Sequence, residues 1–61
     1  EQCFTLKDLA VNGYDIMNLG VDPGRRVGMV LNYLLDQVLD GEIENIHYDL
    51  IKEAKRYLAG A

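Results

Sequence analysis

The sequence predicts an all-α fold, a small bundle of two short and two longer helices with a tight Gly/Pro-containing corner before the third. Three observations predict it. Apolar residues recur at helical offsets from Val27 to Val38 and again from Ile46 to Leu58. Residues with capping chemistry stand ahead of each apolar run, and no stretch keeps a two-residue alternation long enough to make a strand.

The first helix is short. Thr5, with Asp8 three residues on and Leu6, Leu9 and Val11 around them, makes a capping-box start with Asp in place of Glu, and Asn12-Gly13 breaks it. The second begins at Tyr14, capped by Asn12 or served by Asp15 in its first turn. Ile16, Met17 and Leu19 supply its apolar side, and Gly20 offers a left-handed stop. For the third, Asp22 reads as the N-cap, Pro23 as the first helical residue, where its missing N–H costs nothing, and Gly24 as lying just inside. Val27, Val30, Leu31, Leu34, Leu35 and Val38 then share one face, while Arg26, Asn32, Tyr33, Asp36 and Gln37 form a solvated side before Asp40-Gly41. The last helix runs from an Asn45 cap through Ile46, Leu50, Ile51, Ala54, Tyr57 and Leu58, and frays into Ala59-Gly60-Ala61.

A 61-residue chain, 49% hydrophobic and 26% charged, has an ordinary globular balance. At this length folding hides only about 60% of the surface of the unfolded chain, so residues 1–61 make a single module and a second domain is excluded. The net charge of -4 repels nucleic acid unless the cations gather on one face. Cys3 has no partner for an internal disulfide, and one cysteine with one histidine cannot build a zinc site, which points to a reducing, cytoplasmic compartment. No apolar run approaches the ~20 residues that cross a bilayer, so no membrane is expected as a partner. The chain opens at Glu1 without a methionine and reads as a piece of a longer polypeptide.

Catalysis has little to work with. There is no serine, Cys3 falls in a tail expected to fray, and His47 lies on the polar side of a first helical turn, where a surface role is preferred to proton transfer. Asp36, Asp40 and Glu44 are interrupted by Gly41 and read as solvated charge, not as a cation cage. No catalytic residue and no metal ligand is therefore assigned.

Gly24, Arg25 and Arg26 say more. Two arginines in a first helical turn oppose the macrodipole by several tenths of a kcal/mol. The placement makes sense where an anion docks, because free N–H groups, a close-approach glycine and two guanidinium groups would converge on one phosphate. The alternative is that Asp22 neutralises the arginines and Gly28 serves helix packing. Lys52, Lys55 and Arg56 form a second basic group at i, i+3 and i+4 that would track a nucleic-acid backbone; pairing with Glu53 and Asp49 near a helix C-terminus is the preferred account. Tyr14, Tyr33, Tyr48 and Tyr57 are expected to edge a small core with their hydroxyls in water.

Gly13-Tyr14-Asp15-Ile16, Leu19-Gly20-Val21-Asp22-Pro23-Gly24 and Val27-Gly28 resemble the C-terminal region of bacterial CCA-adding tRNA nucleotidyltransferases and their poly(A) polymerase relatives. Leu31-Asn32-Tyr33-Leu34-Leu35, Val38-Leu39-Asp40-Gly41, Asn45, Leu50-Ile51 and Ala54 extend the resemblance, so that it covers Leu6 to Leu58. It implies a division of labour. The family's N-terminal head carries Gly-Ser and Asp-x-Asp motifs that hold Mg and transfer nucleotides from CTP and ATP, and this chain has neither motif. The helical body and tail grip tRNA through its sugar–phosphate backbone, by shape and charge. The chain is thus expected to be an inert tRNA-binding piece of the C-terminal body or tail, with the catalytic head of the same protein as its partner. A structural or homodimer-forming module without RNA contact is the alternative; a DNA binder has only the Gly-containing corner in its favour.

Overall fold

A computed structural model describes residues 5–60, and Cys3 and Ala61 lie outside that range. The described residues form one 3-10 turn, Leu6–Asp8, and three α-helices: α1, Gly13–Met17; α2, Arg25–Leu39; and α3, His47–Gly60. No strand is present among them. The expected all-α fold of short elements followed by long ones is therefore what forms.

Local chemistry accounts for most boundaries. The Thr5 N–H donates to the Asp8 carboxylate at 3.1 Å, although the helix it opens is only a single 3-10 turn. Asn12 and Asp15 close a reciprocal box around the start of α1: Asn12 Oδ1 accepts from the Asp15 N–H at 3.1 Å, and the Asn12 N–H donates to Asp15 at 2.9 Å. Gly20, at φ +99, takes the left-handed position expected of it. Beyond α2, Gly41 is at φ +77, its N–H meets the Val38 carbonyl, and the Glu42 N–H reaches Gln37 at 2.9 Å. These two bonds are the Schellman pattern and satisfy the last carbonyls of the helix.

Two caps differ from expectation. Asp22 does not cap α2; Gly24 does, at φ 119 and ψ -140, a conformation open to glycine and closed to residues with a Cβ. Pro23 is consequently outside the helix, Arg25 is its first residue, and no side chain bonds its leading N–H groups. Asn45 does not cap α3 either. Its side chain turns back along the chain, accepting from the Ala10 N–H at 2.8 Å and donating to the Asp8 carbonyl at 2.7 Å. His47 Nδ1 lies 3.2 Å from the Ala10 carbonyl. The link between the 3-10 turn and α1 is therefore stitched to the front of α3, which answers where its irregular backbone finds partners. At the other end α3 does not fray before Gly60.

Leu9, Val11, Ile16, Val21, Val30, Leu34, Leu50 and Ala54 are the buried core, contributed by the three α-helices and by the links that flank α1. Ile16, Leu34 and Leu50 have no exposed surface, one from each α-helix. Ile46, expected on the apolar stripe of α3, is instead 47% exposed because it precedes the helix. Tyr33, expected on the solvated side of α2, is half-buried and stacks on Tyr57 with ring centroids 4.2 Å apart. This stack, together with a cleft shared by Arg26 and Leu58, joins α2 to α3.

Asn45→Ala removes two long-range hydrogen bonds and is expected to cost about 1–2 kcal/mol in urea unfolding, with helix content retained. Gly24→Ala forces a side chain into a positive-φ cap and should destabilise by about 1–2 kcal/mol. Gly28→Ala should do the opposite, by about 0.5–1 kcal/mol, because its added Cβ meets nothing within 4 Å outside the local helix backbone. Equal responses of the two glycines would refute this assignment of their roles.

Candidate nucleic-acid interface

Helix α2 opens with its N–H groups free of side-chain caps, no acid in its first turn, and Arg25 and Arg26 in that turn. All five residues from Asp22 to Arg26 are exposed. Among the described residues Asp22 makes no ion pair with either arginine, so the neutralising alternative has no geometric basis. Among the described residues nothing outside the local helix lies within 4 Å of where a side chain at Gly28 would begin, so close packing among them does not explain it either. What stands at this corner is positive partial charge from the helix end, two guanidinium groups that make no ion pair among the described residues, and exposed backbone, which together suit an anion.

The second basic group is split by the fold. Arg56 closes a two-point pair with Glu53, Nε to Oε1 at 3.1 Å and Nη2 to Oε2 at 2.7 Å. Lys52 and Lys55 are exposed and make no ion pair among the described residues. Lys52 and Arg56 line an open groove of about 510 Å³ whose other walls include Glu42, Glu44, Asp49 and Glu53. Four carboxylates beside two cations make this groove a poor track for a polyanion.

Glu53, expected to pair with the basic group, does pair with Arg56. Its burial is the unexpected part: it is the one buried charged side chain among the described residues, 9% exposed. Besides Arg56 it accepts the Tyr33 hydroxyl proton at 2.5 Å. The hydrogen bonds from Arg56, and then from Tyr33, hold its carboxyl below the usual glutamate range, against a smaller opposing effect of burial. The same bond to Glu53 pushes the Tyr33 phenol up. The signal that could have found it is spacing: Glu53 lies three residues after Leu50 and four before Tyr57, on the apolar side of α3.

The remaining candidates are structural or dispersed. His47 is exposed and bonded to a backbone carbonyl, and Tyr14 and Tyr48 are largely exposed. Among the described residues no three His, Asp or Glu side chains come together as a metal site, and Asp36, Asp40 and Glu44 do not converge. Among the described residues no helix is long and apolar enough to cross a membrane.

Residues 2–54 match the family described as tRNA nucleotidyltransferase domain 2. A CCA-adding enzyme of Limosilactobacillus fermentum is 39% identical over 51 residues, which are 84% of this chain and 13% of that enzyme. The chain thus spans about an eighth of the relative's length (13%). No solved structure gives a significant match.

Because its folded pKa is depressed, the stability Glu53 contributes is present above the ordinary glutamate value of 4.5 and is lost as pH falls through the lowered one. Glu53→Gln is expected to lower stability at neutral pH and to flatten the acid limb of the urea midpoint against pH. Parallel acid limbs for the two proteins would count against this linkage.

Proposed function

Since the chain belongs to the tRNA nucleotidyltransferase domain 2 family, we propose that it is an accessory helical module that helps a CCA-adding enzyme hold tRNA. The module grips the sugar–phosphate backbone without reading bases, and the exposed, uncapped, arginine-bearing start of α2 carries this reading. Gly24 lets a phosphate approach the backbone, the free N–H groups of the first turn donate to it, and Arg25 and Arg26 add charge-assisted bonds. Lys52 and Lys55 are a weaker second contact, with Arg56 already engaged by Glu53. Cytidine and adenosine addition at the tRNA 3' end, with Mg, CTP and ATP, belongs to a catalytic head elsewhere in the same protein. The role of this module is to place the RNA, so that the reacting end enters the head in register.

A second reading has an observation of its own. Leu39 and Ile46 are each about half exposed (51% and 47%), an apolar surface that suits bracing against a neighbouring domain or a second copy.

The two readings part on one experiment. Arg25→Glu with Arg26→Glu is expected to weaken tRNA binding, both by this chain and by an enzyme that carries it, and to reduce the salt slope by about 1 for each phosphate no longer neutralised. Circular dichroism should show the helices unchanged. Lys52→Glu with Lys55→Glu should act in the same direction but less. Unaltered tRNA affinity combined with a lower melting temperature or a changed oligomeric state would establish bracing instead.

A further inference from the structure

Next to the first turn of α2 lies a shallow cleft of about 90 Å³, lined by Arg26, Met29, Val30, Tyr57 and Leu58. Backbone gripping makes no use of it. Val30 is buried, whereas Met29 leaves 51% of its surface exposed. Tyr57 is held in place by its stack on Tyr33, with the rings inclined by only 20°. Arg26 is exposed and makes no ion pair among the described residues.

We propose that this cleft receives one unpaired nucleobase of the bound RNA, with the phosphate of the same nucleotide on Arg26. The inference rests on the RNA reading above and adds to it a base contact that is independent of sequence. Charge complementarity selects the occupant: the cleft joins an apolar, aromatic wall to an unpaired guanidinium, and a nucleotide joins a flat ring to an anion at short range. Its volume is far below the few hundred Å³ of pockets that enclose a drug-sized ligand, so it accommodates a single ring entering in part. Tyr57 is already ordered by Tyr33, so little side-chain freedom is lost when a ring docks beside it. The Met29 thioether is polarisable and adapts to any of the four bases. Stacking tolerates every base because each has a π-face.

The test is nuclear magnetic resonance of the 61-residue chain, titrated with AMP and, separately, with inorganic phosphate. AMP is expected to shift the Met29 and Leu58 methyl signals and the Tyr57 ring, together with the backbone amides of residues 25–27; phosphate should shift those amides alone. Met29→Ser should weaken AMP binding on the order of tenfold and leave the phosphate response as it was. If AMP merely reproduces the phosphate pattern, or binds Met29→Ser undiminished, the base site is wrong and the backbone reading survives. Should neither ligand move either set of signals, both fall together.

Discussion

Everything in this small structure depends on the joint burial of Ile16, Leu34 and Leu50, one side chain from each α-helix and none with exposed surface. The core among the described residues is only eight buried apolar side chains, so each helix must present its stripe to the same point. The Asn12–Asp15 box and the Gly41 Schellman motif set where α1 begins and α2 ends, and thereby bring Ile16 and Leu34 into line. A helix as short as α1 would not persist alone in water; its place is secured by packing.

Around that core, two polar side chains couple parts of the chain that burial alone would leave loose. Asn45 bonds both Asp8 and Ala10 and so fastens the link between the 3-10 turn and α1 to the segment just before α3. Glu53 is satisfied from both sides, by the Arg56 guanidinium and the Tyr33 hydroxyl, which makes a buried carboxylate tolerable and sets the seam between α2 and α3. The same seam places Tyr57 beside Arg26 and Met29. The stability of the helix pair and the shape of the cleft are therefore one arrangement.

Charge illustrates why distribution outweighs sum. The chain carries a net charge of -4, yet the first turn of α2 holds two cations and no acid, while carboxylates crowd the groove beside α3. Positive charge at one corner and negative charge at another give the surface a polarity that the net charge does not reveal. The family match covers residues 2–54, and the CCA-adding relative is a much longer protein, of which the matched stretch is 13%.

By itself the sequence determined the helices, their apolar stripes, the glycine stops at Gly20 and Gly41, and the arginine-bearing corner, because each of these signals acts within about one helical turn. Only the tertiary structure decided that Asn45 clamps the 3-10 link instead of capping α3, that Tyr33 turns from solvent to Tyr57, and that the Tyr33 hydroxyl reaches a buried Glu53. It also decided that Gly24, not Asp22, caps α2. The physical reason is separation along the chain. The deciding partners are 20 residues apart for Tyr33 and Glu53 and 35 to 37 apart for Asn45, and no local spacing rule reaches that far.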